Sequence, residues 1–285
     1  MILGLDVGAS FAKAILVDEN LKIIEKQILP VEDLKTAALR TLNSFIRKID
    51  EELRGRIGVV AASGGGSRFI GEEAFGLPVK RIDEITAIGL GGLLLANRDE
   101  GLVVSAGTGT AIVAVYNGGR TIKHVGGTGV GGGTVLGLSR RLLGLSIFED
   151  LENMALKGDA GRVDLTVGDI VGGPIGIIPA DATASNLGKL TCKSKAEDVA
   201  AGIFNMVSQT IGVLAAMAAK AYDLENSIIL VGMLPKSKIV SKIICETIKM
   251  FGAEVVVPGD CEYASALGAA ASIYRQFDSL HAQTR

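Results

Sequence analysis

The chain has 285 residues, a formal net charge of −2 and 48% hydrophobic residues, enough apolar material for one large or two ordinary domains. Its basic residues are scattered and only 4% of its residues are aromatic, so neither nucleic acid nor an anionic membrane is expected as a partner. The sequence contains no run of eighteen apolar residues, so no membrane span is predicted.

The cysteines and the N-terminus indicate the cellular compartment. Cys192, Cys245 and Cys261 are isolated, with no CxxC spacing, and fit reduced thiols. The N-terminus runs directly into an apolar strand that contains Asp6, which is unlike a signal peptide. We therefore expect a cytoplasmic protein.

The first part of the chain is predicted to begin with three strands and a helix. The strands cover 1–7, 12–17 and 21–29, and the helix covers 32–53. A strand at 56–61 then leads into a glycine turn at 63–66, a strand at 79–82 and a helix at 84–97.

The same order of elements then starts over. Strands are predicted at 102–106, 110–116 and 121–125, followed by helices and strands at 132–143, 196–222, 227–231, 236–251, 254–257 and 263–277. Each part thus opens with three antiparallel strands followed by helix–strand units, which indicates a structural repeat.

The first chemical motif is GLDVGASFAK, residues 4–13. It places Asp6 at the end of a strand, Gly8 and Ser10 in a turn, and Lys13 in the next strand. Such a hairpin can cradle phosphates through backbone N–H groups, Ser10 and the Lys13 ammonium, while Asp6 can hold Mg²⁺ through water. A carboxylate within an apolar strand is costly unless it is satisfied, so function is favoured over a turn-capping role for Asp6.

The second motif combines GTGT at 107–110 with HVGGTGVGGGTVLGL at 124–138. Glycines let the backbone approach a ligand, and the first turn of the helix that follows is expected to offer unpaired N–H groups and partial positive charge to an anion. Tight turns and close helix packing would explain the same glycines, and the pattern alone does not decide between the two.

Two further positions also allow two interpretations each. Asp83 and Glu84 open a helix, where both suit the first turn as caps, but Glu84 could instead face a cleft and accept a proton from a hydroxyl. Gly232 closes a strand, where a small residue permits either a nucleotide on the backbone or ordinary helix packing.

These features together resemble the actin-like ATPase superfamily, and residues 107–188 resemble type II (eukaryotic-like) pantothenate kinases. The most specific segments are FEDLENMALKGDAGRVDLTVGDI at 148–170 and DATASNLGK at 181–189. The resemblance covers nearly the whole chain. It implies an α/β fold of two actin-like (ribonuclease H-like) domains with mixed sheets, divided at 97/98 with a cleft between them. The last helix is expected to pack back on the first domain.

The resemblance also assigns roles to residues. Glu84 corresponds to the catalytic base, and Asp6 joins it as a catalytic and metal-binding carboxylate. The nucleotide is expected at Gly8, Ser10, Lys13, Thr108, Gly132, Gly133, Thr134, Val135, Leu136, Phe148 and Gly232. The acceptor is expected at Gly107, Thr110, Ala111 and His124.

Two acceptor positions depart from the family pattern. His124 stands where the family has an arginine that holds the pantothenate carboxylate, and Ala111 stands where it has a serine. An imidazole cannot reproduce the bidentate contact of a guanidinium. The kinase chemistry is therefore better supported than the identity of the acceptor.

The resulting expectation is an ATP- and Mg²⁺-dependent kinase of the primary alcohol of pantothenate, the first step of coenzyme A biosynthesis. It is expected to form a homodimer through the apolar helix at 211–221 or the helix after Gly133, either of which would otherwise expose an apolar patch. The alternatives are a kinase of pantetheine or another small alcohol, and an ATP-binding regulator or activator ATPase. Activator ATPases use paired cysteines for an iron–sulfur cluster, and this chain lacks such a pair.

Overall fold

A computed structural model describes residues 1–176 and 178–283 of the chain. Its first sheet has six strands in the spatial order β3-β2-β1-β4-β6-β5. The strands are β1 (Ile2–Val7), β2 (Phe11–Val17), β3 (Ile23–Pro30), β4 (Val59–Ser63), β5 (Glu73–Ala74) and β6 (Leu77–Arg81). β1, β2 and β3 pair antiparallel, whereas β4 runs parallel to both β1 and β6.

One face of this sheet is covered by helix α1 (Leu34–Lys48), which buries Leu42 and Phe45 against it. The single helix predicted at 32–53 is wrong, because the chain breaks at Ile49 and resumes as α2 (Glu51–Gly55). Asp50 causes the restart, since its side chain accepts a hydrogen bond from the Leu53 N–H and so caps a new helix.

The second sheet has the order β13-β12-β7-β8-β9 and repeats the plan of the first. Its strands are β7 (Gly101–Ala106), β8 (Thr110–Tyr116), β9 (Thr121–Thr128), β12 (Ile228–Val231) and β13 (Val255–Val256). Three strands again form an antiparallel meander, and β12 runs parallel to β7. The predicted repeat and the mixed sheets are confirmed.

Four helices contribute to the core on one face of this second sheet: α4 (Gly132–Leu143), α5 (Phe148–Ala155), α7 (Ala196–Ala221) and α8 (Lys238–Met250). Among the described residues, α7 is long and apolar enough to cross a membrane, but 67% of its most apolar window is buried inside the fold. Within the predicted partner-facing segment 211–221, Ile211, Ala215 and Ala219 lie in the core of their own chain, whereas Met217 is 58% exposed, so a dimer contact through this helix stays a prediction.

Between α5 and α7 the chain makes an excursion that contains α6 (Val167–Val171) and the paired strands β10 (Leu165–Thr166) and β11 (Thr183–Ser185). Buried Asp164 fixes it, since its carboxylate accepts hydrogen bonds of 2.7 Å from the Leu187 N–H and from the Asn205 amide on α7. These hydrogen bonds attach the excursion to helix α7 of the core.

Two helices link the sheets. Helix α3 (Glu84–Ala96) packs on the second sheet, whereas α9 (Ala264–Gln283) follows that sheet in sequence but packs on the first. The two helices touch through Gly91 and Gly268, where an added Cβ would lie 1.8 Å from a backbone carbonyl oxygen of the other helix. Only glycine permits this approach, and the close contact places the first turn of α3 beside the space between the sheets.

Candidate active site

A cavity of about 770 Å³ lies between the two sheets. Both sheets contribute the turn that joins their first two strands, and α3, α4, α5 and α9 contribute residues near their N-termini. The volume falls in the range of small-molecule sites. The cleft between the two halves that the sequence predicts is therefore present.

The first turn carries a buried ion pair. Asp6 on β1 and Lys13 on β2 are cross-strand partners, and Lys13 Nζ donates a hydrogen bond of 2.9 Å to Asp6 Oδ2. Both residues are less than one tenth exposed. Lys13, which was expected to reach phosphate, thus also offsets the free-energy cost of burying the Asp6 carboxylate inside this sheet.

The two turns meet across the cavity. Ser10 of the first turn and Thr108 of the second are 98 residues apart in sequence, yet their hydroxyl oxygens lie 2.7 Å from each other. The second turn is narrow, with the Gly107 N–H donating to the Gly109 carbonyl. Residues from both halves of the chain therefore form one polar surface.

The expected unpaired N–H groups at the start of α4 are not found. The Gly132 N–H donates to the Gly107 carbonyl at 2.8 Å, and the Gly133 N–H donates to the Thr108 carbonyl at 2.9 Å. An added Cβ on Gly131 would lie 2.6 Å from the Thr108 carbonyl oxygen. The glycines bring α4 so close to the turn that its first donors hold the turn itself, and only the helix dipole remains for an anion.

Donors for an anion remain in the two turns. The backbone N–H groups of Ala9, Ser10, Thr108 and Gly109 make no hydrogen bond within the part of the chain that the structure describes. Successive N–H groups in a turn form a concave anion site. The turns, rather than the helix, supply the backbone donors.

Asp83 and Glu84 have separate roles. The Asp83 side chain accepts a hydrogen bond of 2.8 Å from the Thr86 N–H and caps α3, as the sequence predicts. Glu84, the next residue, lines the cavity together with Asp6 and Lys13. Partial burial raises the pKa of the Glu84 carboxyl above its ordinary value, the carboxylates of Asp6 and Asp83 raise it further, and Lys13 opposes them.

A divalent cation suits the Asp6 end of the cavity. One oxygen of Asp6 accepts from Lys13, and the other, Oδ1, makes no hydrogen bond to a described residue. The described residues contain no group of three potential protein ligands. Mg²⁺ typically uses one or two carboxylates and completes its shell with water and phosphate, so a single free carboxylate oxygen beside the N–H groups of the turns fits it.

Two helices contribute apolar side chains to the cavity. Leu136 of α4 and Phe148 of α5 line it, and the Phe148 ring packs edge-on against Phe204 with 5.4 Å between centroids. Gly232 also lines the cavity, and its φ of +103° and the 2.4 Å from an added Cβ to the Ala106 carbonyl oxygen require glycine.

Sequence reasoning missed two polar pairs in the cavity lining. Lys236 Nζ lies 3.0 Å from buried Glu262, and the Ser237 hydroxyl donates to Glu152 at 2.7 Å. Each pair joins residues that are distant in sequence, so no local sequence pattern predicts it.

Of the four positions expected to bind the acceptor, three line the cavity and one does not. Gly107, Thr110 and Ala111 line the cavity, and the Thr110 hydroxyl donates to the Val130 carbonyl at 2.9 Å. His124 is exposed on β9 and is not part of the cavity lining. It shares the sheet face of Ala111, because it pairs with Val113 after a register shift.

Three of the residues expected at the nucleotide are not part of the cavity lining either. Val135 is fully buried in the core, Thr134 accepts a hydrogen bond from the Gly131 N–H through its hydroxyl, and Gly133 contacts the second turn. The remaining predicted nucleotide residues line the cavity: Gly8, Ser10, Lys13, Thr108, Gly132, Leu136, Phe148 and Gly232.

The fold resembles that of a solved activator of the 2-hydroxyisocaproyl-CoA dehydratase from Clostridium difficile with bound ADPNP. The TM-score is 0.67 and the two share 16% of residues, with 100% of this chain and 98% of that chain covered. At that identity the likeness concerns the fold alone. It agrees with the actin-like fold of two similar halves that the sequence predicts.

Sequence comparison gives the family. A type II pantothenate kinase from Bacillus cereus (strain G9842) is 36% identical over 130 residues, 45% of this chain and 47% of the relative, so this match spans about half the length of that protein. A type II pantothenate kinase from Bacillus anthracis is 26% identical over 238 residues, 79% of this chain and 80% of the relative. The Fumble family model matches residues 101–271, more than half of the chain. The resemblance to type II pantothenate kinases is thereby confirmed, and the chain belongs to the Fumble family.

Proposed function

We propose that the protein is an ATP-dependent kinase that transfers the γ-phosphoryl group to a primary alcohol. One observation carries the proposal: the two hairpin turns, with their free N–H groups, and the Glu84 carboxylate meet in a single cavity. A phosphate cradle and a general base are the parts that phosphoryl transfer needs.

The triphosphate lies along the two turns in this proposal. The N–H groups of Ala9, Ser10, Thr108 and Gly109 hold its oxygens, and Lys13 neutralises charge beside Asp6. Asp6 holds Mg²⁺, which when bound lowers the charge on the phosphate oxygens. The base and ribose lie toward Phe148 and Gly232.

Glu84 accepts the proton of the acceptor hydroxyl, which then attacks the γ-phosphorus while ADP leaves. A raised pKa suits this role, because a carboxylate that binds its proton more tightly is a stronger base near neutral pH. Because Lys13 and Asp6 cancel each other's charge, the phosphates depend mainly on the backbone donors and the bound cation.

For the acceptor, the names of the Bacillus relatives support pantothenate, and its phosphorylation is the first step of coenzyme A biosynthesis. A relative such as pantetheine or another small alcohol is favoured by one observation, namely that His124 stands outside the cavity lining. We place the enzyme in the cytoplasm, where free thiols such as Cys192 stay reduced.

We also propose a homodimer. The segment from α4 to α5 exposes Leu142, Ile147 and Leu156, a patch that a second copy would cover. Sedimentation of the purified protein at micromolar concentration is expected to give a dimer, and a monomer would contradict the proposal.

The test of the activity is ADP formation from Mg-ATP with pantothenate, pantetheine and a set of sugars. We expect acceptor-dependent ADP and a phosphorylated product by mass spectrometry. ADP formation that is slow and independent of every acceptor would instead favour an ATP-binding regulator.

A further inference from the structure

We infer that the acceptor end of the cleft selects an alcohol whose far end carries no charge, and that the Ser105 hydroxyl binds that neutral end. The inference rests on the proposed kinase function and specifies the substrate class of the same site. Ser105 is absent from the residues that sequence patterns single out.

The strand register places Ser105 at the acceptor end. Ser105 on β7 pairs with Ala111 on β8, so both side chains stand on the same face of the second sheet. α3 covers this face: Gly92 packs on Val103 and Gly89 packs on Val113. The next pair on this face after Val103 and Val113, toward the cavity, is Ser105 and Ala111. This pair therefore faces the first turns of α3, which carry Glu84.

The Ser105 hydroxyl is available for a ligand. Ser105 is half-buried and lines the cavity, and its hydroxyl makes no hydrogen bond within the described part of the chain. The neighbouring hydroxyls are engaged, since Thr110 donates to the Val130 carbonyl and Thr128 accepts from the Val130 N–H. A serine hydroxyl can donate and accept, so it suits an amide or a hydroxyl group.

The charges of the cavity disfavour a carboxylate. Its described lining has two cationic side chains, Lys13 and Lys236, and each contacts a carboxylate, of Asp6 and Glu262 respectively. Five carboxylates line the same cavity: Asp6, Glu84, Glu149, Glu152 and Glu262. A carboxylate on the acceptor would add to this negative charge, and both cationic side chains of the lining already contact another carboxylate.

Apart from Glu84 and Thr110, the residues of α3 and β8 that line the cavity near Ser105 are apolar. Ile88 of α3 and Ala111 of β8 line the cavity beside it. A chain with methylene groups and an amide would pack on these side chains and hydrogen-bond to the serine. Where the family has a serine at position 111, this chain has alanine. Ser105, which pairs with Ala111 on the neighbouring strand, provides a hydroxyl on the same face of the sheet.

Three acceptors that share the same primary alcohol test the inference: pantothenate, with a carboxylate; panthenol, with a hydroxymethyl group; and pantetheine, with an extended amide. We expect kcat/KM with Mg-ATP to be about ten-fold or more higher for the two neutral compounds. A preference for pantothenate would overturn the inference while leaving the kinase function intact.

Binding separates the inference from the kinase function. The three compounds are titrated calorimetrically into the protein with Mg²⁺ and a non-hydrolysable ATP analogue, and the neutral compounds are expected to bind more tightly. Turnover of none of them would overturn the kinase function, whereas the order of affinities still decides the inference. Equal affinities, or tighter binding of pantothenate, overturn it.

Ser105→Ala tests the residue. We expect KM for panthenol to rise about three- to ten-fold, with KM for ATP and the thermal midpoint near wild type. Ser208→Ala is the matched control, because Ser208 is also a serine without a hydrogen-bond partner but is buried in α7, away from the cavity. An unchanged KM for panthenol in Ser105→Ala would remove Ser105 from the acceptor site.

Discussion

The two hairpin turns of the cleft occupy equivalent places in the two sheets but differ in chemistry. The first contains a buried carboxylate and ammonium, Asp6 and Lys13. The second contains glycine and hydroxyls, and its carbonyls are held by the start of α4. The repeat thus supplies the same backbone twice, while charge is confined to one turn and close backbone packing to the other.

Removing the charge of the first turn is expected to have the largest effect. Lys13→Met leaves the Asp6 carboxylate buried without its partner, which typically costs about 3–5 kcal/mol of stability. Chemical denaturation and ADP formation should both report the loss. Lys48→Met is the control, because the Lys48–Glu25 pair is exposed and such pairs contribute about 0–1 kcal/mol. Equal stabilities of the two variants would show that the buried pair is not special.

Glu84 belongs to neither turn, so its removal is expected to affect transfer alone. Glu84→Gln should lower kcat about 100-fold with little change in ATP binding or stability. A wild-type level of transfer would reduce Glu84 to a helix-terminal residue.

The pH profile adds a second measurement at Glu84. The base must be deprotonated, and its pKa is raised, so kcat/KM should increase with pH through a midpoint above the ordinary glutamate value of 4.5. Below that midpoint the protonated carboxyl is inactive. The Glu84→Gln substitution should abolish this acid limb, and a limb that persists would belong to another group.

Crowding the second turn is expected to have a moderate effect. In Gly131→Ala the new methyl carbon would lie 2.6 Å from the Thr108 carbonyl oxygen, and such overpacking costs about 1–3 kcal/mol. The displaced turn should also raise KM for ATP. Gly129→Ala is the matched control, since an added Cβ there meets nothing within 4 Å. Identical behaviour of the two variants would contradict the packing of α4 on the turn.

The contact between the turns is expected to matter least. Ser10→Ala and Thr108→Ala each remove one side of the 2.7 Å contact, worth about 0.5–1.5 kcal/mol. A double-mutant cycle on stability should give a coupling energy within that range. Additive effects would mean that the hydroxyls do not interact in solution.

Sequence reasoning reached the parts of the site that reside in local patterns. Three features can be recognised from a few neighbouring residues: Asp6 in an apolar strand, the GTGT turn, and the Asp83–Glu84 pair at a helix start. Asp6, the GTGT turn and Glu84 line the cleft, and Asp83 caps its helix. The strands of both meanders and α4 were likewise predictable, because apolar residues alternate with turns of glycine or asparagine.

The rest depends on tertiary structure. Glycines at the start of α4 are compatible with free N–H groups and with close packing, and only the fold selects packing. The Lys236–Glu262 pair joins the short helical turn after β12 to the one that precedes α9. A register shift between Ile112 and Val113 sets which residues of β9 share the face of Ala111, and no pattern in the sequence marks it.

The exchange of α3 and α9 between the sheets has a consequence for how the chain is made. Ile15 and Ala61 of the first sheet pack against Ala266 and Ala270 of α9, near the end of the chain. During synthesis that face of the first sheet stays uncovered until α9, which follows both sheets in sequence, has left the ribosome. The N-terminal half therefore cannot complete its core ahead of the C-terminal half, as successive domains usually do. A truncation just before α9 should yield an aggregation-prone chain rather than a shorter soluble one.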